Sequence, residues 1–260
     1  MTSASRRTIA ITGAASGLGA ATRGLLEGQG ARVVGVDLRG SDVAADLGTP
    51  DGRAAAVRAV GERTGGRLDG LVVCAGLGPT HPETAAIVSV NYFGARGVLD
   101  GLAGALARGE RAAAVAISSN SVTLDPSVDG PLVAACLAGD EPEARRIAAG
   151  LPGNTVYASS KVAVGRAVRH GVALWGERGV RLNAVAPGPF DSPMLAAALA
   201  DPFTGPFIDK VPIPLGRRGT THDIAEVVVW LLSGAARHVH GSILFADGGT
   251  DALFFPDRVP

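Results

Sequence analysis

An apolar run, Thr8-Ile9-Ala10-Ile11, passes directly into Thr12-Gly13-Ala14-Ala15-Ser16-Gly17-Leu18-Gly19 and then into a segment with helical spacing, Ala20 to Gln29. A strand that turns through glycines into a helix N-terminus is a place to hold a diphosphate. Gly13 permits the tight turn, while Gly17 and Gly19, flanking Leu18 and following Ser16, let backbone N–H groups approach the phosphates. The helix dipole favours the negative charge. The chain holds 37 Gly in 260 residues, so three fixed glycines match by chance in roughly 0.7 windows, and context has to decide. The next apolar run, Arg32-Val33-Val34-Gly35-Val36, ends in Asp37 with Leu38 beside it, 18 residues beyond Gly19. A carboxylate there can accept both ribose hydroxyls of an adenosine.

Length and composition suit one α/β domain, since 260 residues that are 47% hydrophobic can cover both faces of a parallel sheet. Lys plus Arg and Asp plus Glu are 24 each, giving a formal charge of zero. That balance argues against nucleic acid or an anionic membrane as partner. Cys74 and Cys136 form neither a disulfide framework nor a metal-ligand spacing, so no metal is expected and a reduced, cytoplasmic setting fits. No signal-type apolar core follows the arginines of Met1–Arg7, and no transmembrane span is expected.

Beyond Asp37 the strand–helix rhythm is compressed. A short edge strand is expected around Val43 to Ala45, ending in Asp46-Leu47. That pair either flanks an adenine, carboxylate to amino group and leucine to ring, or belongs to a plain loop. A helix from about Asp51 to Arg63 leads to a strand over Leu68 to Cys74, closed by Cys74-Ala75-Gly76 at the edge where ligands of open α/β sheets bind. A long helix carries Asn91 within Val88-Ser89-Val90-Asn91-Tyr92-Phe93-Gly94 and runs to about Ala107. Asn91 reads equally as a satisfied core amide or as a backbone-bracing, water-holding group beside a site. The strand Ala113–Ile117 ends in Ser118-Ser119-Asn120-Ser121, serines at the same rim as the glycine loop.

Residues 124–153 carry four prolines and a helical middle, Asp140 to Ala149, which reads as an insertion over the sheet's edge or the pocket, a lid or a subunit contact. Tyr157-Ala158-Ser159-Ser160-Lys161 follows. With two tyrosines and two lysines in the chain, an i,i+4 Tyr–Lys pair is expected about 0.015 times by chance. On a helix both side chains share one face. An ammonium there favours the phenolate, which would lower a pKa that starts near ~10 and make Tyr157 a general acid and base. That helix is expected to run to about Glu177, and a buried strand over Val180 to Ala186 ends at Pro187-Gly188. From 189 to 214 a proline-rich loop with Phe190, Met194, Leu195, Phe203 and Phe207 suits a lid over an apolar substrate. Thr221-His222-Asp223 caps a helix to Leu232, and Ser242–Phe245 is a last strand before Asp247-Gly248-Gly249. The apolar tail, Leu253-Phe254-Phe255, is expected to pack against a subunit or the domain itself.

Together these residues resemble the short-chain dehydrogenase/reductase family, over almost the whole chain. The resemblance rests on residues 12–19, Asp37, Cys74-Ala75-Gly76, Asn91, Ser119, Tyr157 with Lys161, Pro187-Gly188 and Asp247-Gly248-Gly249. Within the family the segments Leu71–Pro79 and Val88–Gly94, the short stretch from Asp37 to Asp46 and the insertion before Tyr157 resemble most the bacterial 3α-hydroxysteroid dehydrogenase/carbonyl reductase branch, with coniferyl-alcohol dehydrogenases similar in the same features. The resemblance implies a single-domain Rossmann fold, a doubly wound parallel sheet of about seven strands with helices on both faces. It implies hydride transfer between a nicotinamide and a secondary alcohol or carbonyl of a hydrophobic substrate, a 3α-hydroxysteroid or a xenobiotic carbonyl. Tyr157 would move the proton, and Lys161 would lower its pKa and hold the nicotinamide ribose. Ser119 would polarise the carbonyl, Asn91 would hold a water, and Ser192 would keep the hydroxyl for the carboxamide. Phe190 and Met194 would touch substrate. Ser119 lies 38 residues before Tyr157, beyond the family's common spacing, which leaves Ser121 as competitor. Cys74 replaces the family's usual asparagine. Asp37 would repel a 2′-phosphate, so NAD is favoured over NADP, although Arg39 is near. The resemblance also implies a homo-oligomer, a dimer rather than a tetramer if residues 124–153 block a common interface. The alternatives are a coniferyl-type dehydrogenase, a reductase of fatty-acyl or quinone carbonyls, and a non-catalytic NAD-binding sensor.

Overall fold

Runs such as Leu71-Val72-Val73 and Ala113-Ala114-Val115-Ala116 show no polar alternation because both faces of their strands are covered. The computed structural model describes residues 6–202 and 204–258, so Phe203 lies outside the described residues. Its parallel sheet contains β1 (Thr8–Thr12), β2 (Arg32–Asp37), β3 (Val43–Ala44), β4 (Gly70–Val73), β5 (Ala113–Ile117), β6 (Arg181–Pro187) and β7 (Ile243–Ala246). Their spatial order is β3-β2-β1-β4-β5-β6-β7. The order reverses between β1 and β4, so the glycine loop and Cys74 both lie at the switch point. Thr12 is in register with Val36 on one side and Val73 on the other.

Two cores separate the faces. Ile9, Ile11, Val72 and Val115 meet the helices Gly17–Gly28 and Thr221–Leu232, which contact each other. Ala10, Leu71, Val73 and Ala114 meet Pro50–Thr64, the long helix through Asn91, and Gly153–His170. The long helix is Thr84–Val88, a π-helical turn Ser89–Gly94, and Ala95–Ala107.

The segment 124–153 folds into helices Gly130–Ala138 and Glu141–Ala148, each capped by an aspartate, Asp129 on Leu132 N and Asp140 on Glu143 N. They pack against the Tyr157 helix and the N-terminal part of the Asn91 helix. Four expectations change. The Tyr157 helix ends at His170, where Gly171 separates it from Val172–Glu177. Residues 189–214 are not a bare loop: Phe190–Asp191 pairs with Gly219–Thr220, and helices Pro193–Ala200 and Gly205–Asp209 follow. The helix to Leu232 is capped by Thr220, not Thr221, because Asp223 at the third helical position returns a bond to the Thr220 N–H. The tail forms a helix, Thr250–Phe254, whose Leu253 and Phe254 stay about half exposed, so the domain itself does not cover them.

Buried Thr12 ties the switch point together, its Oγ1 accepting from Cys74 N at 3.0 Å and Ala75 N at 3.1 Å. Thr12→Val keeps the shape but orphans both donors. It should cost about 1–3 kcal/mol, read as a lower urea midpoint with unchanged slope.

Candidate active site

The helix Gly17–Gly28 begins at Ser16 with no side-chain cap and no acidic residue in its first turn. Its opening N–H groups therefore face the cavity as unclaimed donors, the feature an anionic diphosphate requires. Gly17 has φ +51°, and a Cβ added there would meet nothing nearer than Pro193 Cδ at 3.7 Å. Gly19 has a part beyond the one expected. A Cβ there would sit 2.0 Å from the Gly13 carbonyl oxygen, so its absence lets the loop fold against its own helix. Gly13, at φ +70°, would place a Cβ 2.8 Å from Ala75 N.

Asp37 ends β2 facing the same cavity and accepts Ala15 N at 2.9 Å and Leu38 N at 2.8 Å. Arg39 is exposed and lies outside the cavity lining. Asp46 takes Gly48 N at 2.8 Å as a loop-bracing acceptor, yet both Asp46 and Leu47 line the cavity beside Asp37 and Leu38.

One cavity of about 980 Å³ runs from these residues to the tyrosine. The sequence-assigned residues Gly13, Ser16, Gly17, Leu18, Gly19, Cys74, Ala75, Gly76, Pro187, Gly188 and Ser192 line it, as do Ser119, Tyr157, Lys161, Phe190 and Met194. Asn91 does not; it sits behind the wall, 1% exposed. Its Oδ1 accepts Leu77 N at 2.7 Å, and its Nδ2 donates to Leu77 O at 3.1 Å and Ser160 Oγ at 3.3 Å. Bracing of the loop after β4 is the role this geometry displays. Leu77 and Pro79 also line the cavity, as do Leu124, Asn154, Ile208 and Val211, to which the sequence assigned no site role because only the tertiary fold brings them together.

Ser119, not Ser121, faces the phenol. The Ser119 hydroxyl is close enough to the Tyr157 phenol to favour its charged form, whereas the Ser121 hydroxyl is buried with no partner. Ser121 contributes its backbone N–H to Ser119 Oγ at 3.2 Å. Lys161 Nζ lies 5.7 Å from the Tyr157 ring centroid and donates to Ile117 O at 2.9 Å. The expected depression of the tyrosine pKa is reversed here. Burial pushes the Tyr157 phenol above its ordinary value, and the nearby Ser119 hydroxyl opposes that rise. Lys161, 5% exposed, is lowered by burial to about 8, with the neighbouring Cys74 pulling slightly upward. Burial likewise pushes the Cys74 thiol up to about 12, so it is an inert wall of the cavity. Ser192 Oγ accepts Leu195 N at 3.1 Å as a helix cap, which leaves its hydroxyl proton free. Among the described residues no cluster of His, Cys, Asp and Glu could hold a metal, and no helix is long and apolar enough to cross a membrane.

A switch-point sheet with an uncapped glycine-loop helix and a Ser–Tyr–Lys set lining one cavity defines a dinucleotide-dependent oxidoreductase architecture. Two family models match, one described as short chain dehydrogenase over residues 7–131 and one as Enoyl-(Acyl carrier protein) reductase over 145–251. The chain belongs to the short-chain dehydrogenase/reductase family. It is 45% identical over 253 residues to the 3-alpha-hydroxysteroid dehydrogenase/carbonyl reductase of Comamonas testosteroni, covering 96% of this chain and 98% of that protein. It is 32% identical to the cis-4-hydroxycyclohexanecarboxylate dehydrogenase of Sinomonas cyclohexanicum, over 95% of this chain and 97% of that one. The crystal structure of the 3-alpha-hydroxysteroid dehydrogenase from Pseudomonas sp. B-0831, complexed with NADH, superposes with a TM-score of 0.95 at 47% identity, covering 97% of this chain and 100% of that one.

Lys161 gives a signed stability prediction. Its folded pKa of about 8 lies below its ordinary 10.5, so between those values the unfolded chain binds more protons and stability rises with pH. Lys161→Met removes this dependence, so its stability relative to wild type should fall by on the order of 3 kcal/mol between pH 7 and pH 10.5. Paired urea titrations across that range check it; a gap that does not vary with pH contradicts it.

Proposed function

We propose that this chain is an NAD-dependent oxidoreductase that interconverts a secondary alcohol and a ketone on a hydrophobic substrate, a 3α-hydroxysteroid, its 3-ketone or a comparable cyclic carbonyl. The observation that carries the proposal is the convergence of Ser119, Tyr157 and buried Lys161, its Nζ 5.7 Å from the Tyr157 ring centroid, in the same cavity that begins at the glycine loop. The cofactor, when bound, supplies or accepts the hydride. The uncapped N–H groups at Gly17 to Gly19 hold its diphosphate and Asp37 takes its adenosine ribose. A 2′-phosphate would meet the Asp37 carboxylate, and Arg39 lies outside the cavity, which favours NAD over NADP.

In reduction, Tyr157 donates its phenolic proton to the substrate oxygen while Ser119 hydrogen-bonds the same oxygen and orients it. In oxidation the same phenol, as phenolate, takes the proton back. Lys161 holds the nicotinamide ribose and supports the phenolate while it is charged. Ser192, its lone pair already used in the cap, donates its proton to the carboxamide. Asn91 acts through Leu77 and Ser160 and so fixes the loop and the helix between which the site is formed. Phe190, Met194, Leu77 and Leu124 give the substrate end its apolar character, which fits the steroid and cyclohexane names of the relatives. The unpaired thiols of Cys74 and Cys136 fit a cytoplasmic setting. We read the assembly as a homodimer, because the helices Gly130–Ala138 and Glu141–Ala148 cover helix faces that the family usually buries between subunits.

The test is absorbance at the reduced-nicotinamide band, with NAD or NADP and a panel of 3α-hydroxysteroids and cyclic alcohols. NAD should be reduced, and Tyr157→Phe should lower kcat by about 10²–10⁴-fold with NADH still bound. Turnover that survives in the variant would refute the proton-transfer assignment. Asp37→Ala should raise KM for NAD and narrow the preference over NADP. Light scattering should give twice the 26.1 kDa chain mass, and a fourfold mass would overturn the dimer.

A further inference from the structure

The segment 124–153 reaches the cofactor end of the cavity through one ion pair. Arg53, on the helix Pro50–Thr64, donates from Nη1 to Glu141 Oε2 at 2.7 Å and from Nη2 to Glu141 Oε1 at 2.6 Å. The same guanidinium holds the Leu47 carbonyl through Nε at 2.9 Å and the Gly48 carbonyl through Nη2 at 3.2 Å. Both side chains are largely buried, 12% and 17% exposed. Such a planar fork fixes its partners in direction as well as distance.

The loop that Arg53 holds is also seated from below. A Cβ on Gly94 would lie 3.0 Å from Leu47 O, and one on Gly97 would lie 3.0 Å from Arg53 Cδ. Gly94 and Gly97 are three residues apart on one face of the Asn91 helix, so Leu47 and the Arg53 stem rest on a surface without side chains. The Arg53 guanidinium also lies 6.0 Å from the Phe93 ring centroid. Leu47 and its neighbour Asp46 face the cavity on the other side, next to Asp37.

We infer that Glu141, through Arg53, is a positioning residue for the adenosine half of the cofactor: it sets the placement of the Asp46-Leu47 wall. The inference rests on the cofactor reading above. Glu141 touches no cofactor or substrate position, and the nicotinamide end is built from other elements, so the effect is confined to one half of the dinucleotide. The segment 124–153 thereby serves cofactor binding as well as covering two helices.

The experiment compares NADH with reduced nicotinamide mononucleotide, which lacks the adenylate half, by fluorescence titration of the full chain. Glu141→Gln keeps the size of the side chain and removes its charge. Its Kd for NADH should rise about 5- to 20-fold, with the Kd for the mononucleotide unchanged. In turnover, KM for NAD should rise while kcat at saturation holds. Arg53→Lys, which cannot serve both carbonyls and the carboxylate at once, should show the same selective loss even if Glu141→Gln folds poorly. Glu143→Gln, in an exposed pair with Arg146 on the same helix, should change neither constant. An unaltered NADH affinity in both test variants overturns the inference, as does an equal loss for NADH and the mononucleotide. A wild-type chain that binds neither NADH nor NADPH overturns the cofactor reading, and this inference falls with it.

Discussion

Backbone crowding at Gly13 is the constraint on which the site depends. Its N–H donates to the Val36 carbonyl at 2.8 Å, its Cα hydrogens face Ala75, and its carbonyl is overlain by Gly19. Three strand ends and one helix thus converge where no side chain fits. Because β1, β2 and β4 are parallel, this packing brings their C-terminal ends to one rim, and the Gly17–Gly28 helix begins there with its first donors open. Asp37 is fixed to the same turn through Ala15, and Cys74-Ala75 through Thr12. A larger residue at Gly13 would part three elements together.

The second half of the site is held by polar bonds that tie the Tyr157 helix to the end of β5 and to the Asn91 helix. Ser118 Oγ donates to the Lys161 carbonyl at 3.0 Å, Lys161 Nζ to Ile117 O, and Ser160 Oγ to the Tyr157 carbonyl at 2.7 Å while receiving Asn91. Ser118, Asn91, Ser160 and Lys161 are all buried, so each must find a partner, and the available partners set how the Tyr157 helix sits against β5 and the Asn91 helix. The same enclosure explains the pKa directions. A charge-pair argument from i,i+4 spacing predicts a depressed phenol, but burial acts on the phenol and the ammonium alike and disfavours the charged form of each. Lys161 turns its proton toward Ile117 O, and the Ser119 hydroxyl remains as the group that eases the phenol downward.

What the sequence made legible were features whose chemistry is local. The glycine turn, Asp37 at a strand end and the Tyr157–Lys161 spacing each require only a few neighbouring residues, and the fold places them as their spacing implied. The choice between Ser119 and Ser121 was not local, since it depends on which hydroxyl meets a helix 38 residues further on. Gly19's tight packing was illegible for a related reason: its neighbour is Gly13's own carbonyl, a contact that appears only once the turn has closed. Residues 189–214 read as a loop because prolines dominate, yet Pro193 stands at the first position of a helix, where its missing N–H costs nothing. The Arg53–Glu141 pair joins residues 88 apart and leaves no periodic trace in the sequence.

That pair also bears on how a segment packed against the outside of two helices can matter to an interior cavity. A buried ion pair is weak support for stability, because desolvating both charges offsets most of their attraction, whereas its directional bonds select one arrangement of what they hold. Here the arrangement selected is that of two carbonyls in the loop behind Leu47. Arg145 repeats the pattern closer to the chemistry, donating to Ser89 Oγ at 2.6 Å in the π-helical turn that carries Asn91. Asp129 N donates to Ser159 Oγ on the Tyr157 helix at 2.9 Å, which places a third tie beside the tyrosine itself. One segment therefore touches the supports of the adenosine wall, of Asn91 and of Tyr157. Each contact is polar and directional, so the segment fixes the spacing between the cofactor end and the proton-transfer end of one cavity.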